Sequence, residues 1–203
     1  MESNFGIATG AYVDERADWV ASVARARREC WRFLELTAMG DSPIAEVAGL
    51  DVTGFARVSV HAPVTGLTAA KLVALPFRHD LILHPDIWRD DELEQLGGRA
   101  VFENMDVNKP YGRTVDDLRE VFARFPQAGL CLDVAHVWTN DPSLALGHDL
   151  LDEHGSRLRQ LHVSGIEPDG THRPTTPADL ERYRPLLDRC PGVPWLLEAE
   201  PSK

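Results

Sequence analysis

Short apolar runs recur along this chain with amphipathic stretches between them, and one run after another ends in a side chain able to hold a metal ion. RVSVHAP carries His61, DLILHPD carries His84 and RAVFENMD carries Glu103. GLCLDVAHVW then brings Asp133 and His136, RQLHVSG brings His162, and VPWLLEAE brings Glu198. The Val/Ile/Leu/Phe-rich character of these runs suits strands buried on both faces of a parallel sheet. Strands that end in His, Asp or Glu around a closed parallel sheet bring those ligands together at its C-terminal face. The pattern therefore constrains fold, site and chemistry at once.

Alternation of such runs with helical stretches predicts repeated βα units. Strands are expected over Phe5–Gly10, Arg32–Thr37, Arg57–His61, Leu81–His84, Ala100–Glu103, Gly129–Asp133, Leu158–Val163 and Trp195–Glu198. Between them, Asp14–Cys30 has an apolar stripe and arginines near its C-terminal end, where cations suit the helix dipole. Thr114–Phe125 opens on an N-cap threonine with Asp116 and Asp117 in the first turn, and Thr176–Arg189 has Pro177 just inside its start. Asp41–Leu50, Thr68–Leu75, Asp90–Leu96 and Asp141–His154 complete the expected helices, the last interrupted by Gly147. The expectation is a compact α/β fold, a (β/α)8 TIM barrel of eight parallel strands forming one domain over residues 1–203. Barrels of this kind usually need about 250 residues, so this one is stripped. The sequence after Glu198 leaves no room for a final helix, and the uncovered flank suits a homodimer.

A formal charge of -11 without a dense Lys/Arg run disfavours duplex nucleic acid as a partner and leaves a small molecule as the expected substrate. Cys30, Cys131 and Cys190 are odd in number and widely spaced, which reads as reduced thiols in a cytoplasmic protein, with Cys131 packed in the core. No basic-plus-apolar leader is seen at the N-terminus, and no apolar run reaches the ~18 residues of a membrane span.

Singly, each ligand candidate has an ordinary alternative. His61 and His84 can cap a core layer, although Pro63 and Pro85 just beyond them mark strand ends. Glu103, in a buried run, must be paired, protonated or metal-bound. Asp133 can be a helix N-cap with His136 incidental to it. Asn104 can bind substrate or hold a loop, and Trp138 can wall the pocket or join the core. Glu200 shares a strand face with Glu198 and competes for its role. Glu35, at the end of the second strand, is a candidate for substrate contact or for support of a ligand, or forms a rim salt bridge. Asp169 and His172, in the loop after His162, are candidates for a further metal position, whereas His148 and His154 read as solvated helix residues and His79 precedes its strand.

These segments resemble the xylose isomerase-like barrel superfamily from about Arg57 to Pro201. In its isomerase and epimerase branch the resemblance implies a metal set of Glu103, Asp133, His162 and Glu198, with His136 as a substrate contact. The two glutamates there also shuttle the proton at a carbon next to a carbonyl. The endonuclease IV branch is closer in wording, through His61-Ala62-Pro63, His84-Pro85, Glu103-Asn104 and Gly129–His136. It implies a three-zinc site on His61, His84, Glu103, Asp133, His162 and Glu198, with His136 and His172 on the third ion. Gly170 stands where that branch has an aspartate, and Val64-Thr65-Gly66 lacks its DNA-inserting aromatic.

The expectation is an isomerase or epimerase acting on a small sugar or polyol-type carbonyl compound, using one to three divalent ions. Zn²⁺, Mn²⁺, Mg²⁺ and Co²⁺ suit such a site, and iron is compatible with it. The catalytic pair is Glu103 and Glu198, with His61, His84, Asp133, His136 and His162 as further metal ligands and Glu35, Asn104, Trp138 and His172 toward substrate. The alternatives are a multi-zinc phosphoesterase acting on abasic DNA, a multi-iron oxidase and a non-catalytic metal-binding barrel.

Overall fold

The computed structural model describes residues 4–15, 18–38 and 44–200. Its strands are β1 (Phe5–Ala8), β2 (Phe33–Thr37), β3 (Arg57–His61), β4 (Asp80–Leu83), β5 (Ala100–Glu103), β6 (Gly129–Asp133), β7 (Leu158–Val163), β8 (Gly165–Ile166), β9 (His172–Arg173) and β10 (Trp195–Leu197). The sheet closes in the order β1-β10-β7-β6-β5-β4-β3-β2, with every neighbouring pair parallel. The barrel expected from the apolar runs is therefore present. Strands β8 and β9 stand outside it as an antiparallel hairpin inserted after β7.

The strands alternate strictly between a dry outer layer and the barrel interior. Leu34 and Leu36, Val60, Leu81 and Leu83, Phe102, Leu130 and Leu132 face the helices and join the main core. Ile82, Val101 and Cys131 form a small separate apolar cluster, and toward the C-terminal rim the same interior parity supplies Glu35, Ser59, Glu103, Asp133, Gln160 and His162, all buried. Cys131 is thus a packed core thiol, its acidity pushed out of reach by burial.

The outer helices are α1 (Trp19–Arg28), α2 (Ala69–Val73), α3 (Val115–Arg124), α4 (Val134–Asn140), α5 (Ala145–His154) and α6 (Pro177–Leu187). Asp18 caps α1, and reciprocal capping boxes open α3 through Thr114 and Asp117 and α6 through Thr176 and Asp179. Two of the expected helices are 3-10 segments instead, Ile44–Gly49 and Asp91–Arg99; residues 41–43 lie outside the described residues. The stretch expected as a helix from Asp141 starts only at Ala145, and α4 precedes it, beginning directly at the end of β6.

Two glycines allow close approach. A Cβ on Gly6 would lie 2.5 Å from the Phe33 backbone oxygen, so β1 can lie against β2 only without a side chain there. A Cβ on Gly147 would lie 2.6 Å from Leu186 Cδ1, which seats α5 tightly on α6. His154, expected to be solvated, is buried at the end of α5, its ring 4.9 Å from that of Phe122 on α3. The α3/α5 contact covers the face it occupies. No helix among the described residues is long and apolar enough to cross a membrane.

Candidate metal centre

A cavity of about 340 Å³ opens at the C-terminal end of the barrel. Glu35, His61, His84, Glu103, His136, His172 and Glu198 line it, with Asp106 and Lys109 from the segment after β5. Three groups of ligand atoms lie within 4.8 Å of one another: His61/His84/Glu103, Asp133/His136/His172, and Glu103/Asp133/His162/Glu198. The strand ends thus do converge.

Glu103 is the centre of this arrangement, and each of its oxygens faces a different pair of histidines. Oε1 lies 3.0 Å from His162 Nδ1 and 3.6 Å from His136 Nδ1. Oε2 lies 3.3 Å from His61 Nε2 and 3.4 Å from His84 Nε2. Burial alone would raise this carboxyl's pKa, but His162, His61 and His84 outweigh it and hold the group well below the usual range.

Asp133 divides its oxygens in the same economical way. Oδ1 accepts the His136 backbone N–H at 2.7 Å and caps α4, so the capping alternative and the ligand reading describe different atoms of one side chain. Oδ2 is buried and has no hydrogen-bond partner. Glu198 Oε2 is likewise buried without a hydrogen bond, because the nearby His172 Nδ1 engages Ser164 Oγ at 2.6 Å. Glu198 Oε1 lies 3.2 Å from His162 Nδ1. Orphaned carboxylate oxygens facing imidazole nitrogens are costly unless a cation joins them, so these residues fit a divalent metal.

The electrostatics agree with that fit. Burial, together with Glu198 and Glu103, pushes Asp133 well above its ordinary value. Burial opposes the charging of His136, yet Asp133, Glu103 and Glu198 push it up to about 9. His162 and His61 are also raised against burial, His162 by Cys131, Glu35, Glu198 and Glu103 and His61 by Glu103 and Glu35. His84 is lowered, by burial first and by neighbouring His61. Protons thus take the place that cations would fill among these acids.

Other expected residues fall elsewhere. Asn104 does not line the cavity: its amide pins the end of β6, accepting from Asp133 N at 2.8 Å and donating to Asp133 O at 3.0 Å. Trp138 is also absent from the lining and stacks beneath Arg182, whose guanidinium lies 4.5 Å from the ring. Glu200 turns away and pairs with Arg25 at 2.8 Å, leaving Glu198 as the site carboxylate. Asp169 is exposed and accepts from Thr171 N in its own turn, so of the two ligand candidates in that loop His172 is the one that lines the cavity. Met105, Asp106 and Lys109 were not singled out by the sequence, since their segment has neither periodicity nor a recurring motif.

No protein-family model and no curated protein sequence matches the chain. Solved structures do match it in shape. A D-tagatose 3-epimerase-like protein superposes with a TM-score of 0.59 at 16% identity, over 95% of this chain and 88% of the other. A D-allulose 3-epimerase from Methylomonas sp. gives 0.58 at 15% identity, over 97% and 84%. At these identities the likeness establishes the fold alone, a closed barrel of eight parallel strands with helices between them.

Proposed function

We propose that this chain is a divalent-metal-dependent isomerase or epimerase acting on a small sugar or polyol-type carbonyl compound. The observation that carries this reading is the Glu103/Asp133/His162/Glu198 group, in which buried Glu103 and half-buried Glu198 flank one histidine at the base of a cavity of about 340 Å³. That volume suits a compact substrate rather than a polymer. A cation held by this group supplies Lewis-acid polarisation of adjacent substrate oxygens. Glu198, with Oε2 free of hydrogen bonds, takes the proton from the carbon beside the carbonyl. Glu103 takes the proton of the neighbouring substrate hydroxyl and delivers it to the opposite face of the same carbon or to the adjacent carbonyl carbon, while Glu198 passes its proton to the substrate oxygen, which inverts a centre or moves the carbonyl and restores both carboxylates. Burial keeps water from quenching the carbanion-like intermediate.

The test is incubation of manganese-loaded protein with a panel of ketoses and aldoses in D2O, with NMR detection of deuterium at the carbon next to the carbonyl. The reading predicts incorporation that is lost in Glu198→Gln and on chelation. Full activity in metal-stripped protein would sink it.

A second reading, metal-assisted phosphoester hydrolysis, is favoured by one specific observation: the His61/His84/Glu103 and Asp133/His136/His172 groups adjoin the central one and share its carboxylates. Adjacent ions suit the stabilisation of attacking and leaving oxygens. Against it, no Phe, Tyr or Trp among the described residues lines the cavity. Cleavage of an abasic-site oligonucleotide at low salt supports this second reading, and silence there counts against it.

A further inference from the structure

We infer that Glu35 is a positioning residue for the metal centre: from the layer beneath the site, its carboxylate fixes the His162 ring so that Nε2 carries the proton and Nδ1 offers its lone pair upward. The inference rests on the metal reading above, and extends it to a residue outside the ligand groups.

Glu35 is fully buried on β2 and its Oε2 receives donors from two other strands. Ser59 Oγ on β3 lies at 3.1 Å, Gln160 Nε2 on β7 at 2.6 Å and His162 Nε2 at 3.1 Å. Gln160 Nε2 and His162 Nε2 are themselves 3.1 Å apart, as expected of two donors converging on one oxygen. A bare Nε2 would set a lone pair against an ionised carboxylate, so the donor tautomer is the one the layer accepts. Nδ1 faces Glu103 Oε1, 3.0 Å away, and Glu198 Oε1, 3.2 Å away, so the proton that a bound cation displaces is the one on Nδ1, and the Nε2–H stays on Glu35.

The other histidines of the centre are held differently. His61 Nδ1 and His136 Nδ1 meet the backbone oxygens of Ala62 at 3.1 Å and Asn104 at 2.9 Å, presenting Nε2 instead. Their braces are neutral carbonyls. His162 is backed on its far nitrogen by a carboxylate from outside the ligand groups, Glu35, whereas His172 Nδ1 lies 3.2 Å from Glu198 and His136 Nδ1 3.6 Å from Glu103, both members of the central group. An anionic partner on the far nitrogen makes the near one a stronger ligand as well as orienting it. Strand parity makes the layer possible: Gln160 and His162 are two apart on β7, and Glu35 pairs in register with Ser59.

The experiment compares wild type with Glu35→Gln, which keeps the shape but halves the acceptor capacity of the layer. Zinc affinity is measured by competition with a chromophoric chelator, fold by melting in EDTA, and tautomers by long-range ¹H–¹⁵N histidine spectra of zinc-loaded protein. The inference predicts that wild-type His162 binds through Nδ1 with Nε2 protonated, and that Glu35→Gln lowers zinc affinity roughly 10–100-fold. Should the variant fail to fold, the wild-type spectrum decides alone. Metal on Nε2 in wild type, or unchanged affinity in a folded variant, overturns it. Wild type that binds no zinc overturns the metal reading itself, whereas zinc binding without isomerase activity refutes only the proposed reaction.

Discussion

Replacing Glu103 by Gln separates a shared centre from a set of coincidental contacts. Both Glu103 oxygens are committed, Oε1 toward His162 and His136 and Oε2 toward His61 and His84. An amide keeps the volume but has one acceptor, no charge and an NH2 that repels a cation. The first group is then reduced to His61 and His84, two neutral ligands, fewer than the three protein ligands that even open catalytic zinc sites provide. The central group keeps Asp133, His162 and Glu198 but loses one anion, which we expect to weaken its ion on the order of 100-fold, about 2.7 kcal/mol. The Asp133/His136/His172 group does not include Glu103 and is expected to change little. Native mass spectrometry after zinc loading should therefore show one ion fewer than wild type, and chelator competition should show the weakened one. In metal-free protein the same change leaves His61 and His162 without the buried anion that helps to raise their pKa values. Melting at pH 6 should fall accordingly, by on the order of 3–5 kcal/mol of stability, and by less at pH 9, where the unpaired rings are neutral. An unchanged ion count with affinity within twofold of wild type would refute the shared-carboxylate geometry.

Further outcomes follow from the same geometry. Metal uptake should release protons, because His136 is pushed up to about 9 and Asp133, His61 and His162 also hold protons above their ordinary values. Affinity should fall as pH drops from 9 to 6, about tenfold per unit for each proton displaced; calorimetric enthalpies that do not vary with buffer ionisation would contradict this. Asn104→Ala removes both amide bonds to the Asp133 backbone and should cost about 2–4 kcal/mol on chemical denaturation, with weaker metal binding besides. Gly147→Ala places a methyl 2.6 Å from Leu186 and should cost about 1–3 kcal/mol while metal affinity stays as in wild type.

The barrel was legible because its strands are buried on both sides over most of their length, which produces dense apolar runs in the order of residues. The convergence of the candidate ligands was legible for the same reason: a His or carboxylate at the end of such a run has few ways to exist. Helix α4 was not legible. Its sequence, VAHVWTN, extends the apolar run of β6 with β-branched and aromatic residues, and the Asp133 cap at the end of that strand turns it into a helix. The role of Asn104 was hidden because its partner is a backbone segment on the next strand. Glu198 and Glu200 share parity, and the choice between them was made by Arg25, far away in sequence. His154 was misread because α5 buries it against α3, a packing choice invisible in its own helix.

The most direct test of the central claim is an anomalous difference map from crystals of the zinc- or manganese-loaded protein, collected on both sides of the metal edge. A peak bounded by Glu103, Asp133, His162 and Glu198 is predicted, with further peaks beside His61/His84 and His136/His172 if the adjoining groups fill. Ordered side chains with no anomalous density among those four residues, at saturating metal, would contradict it.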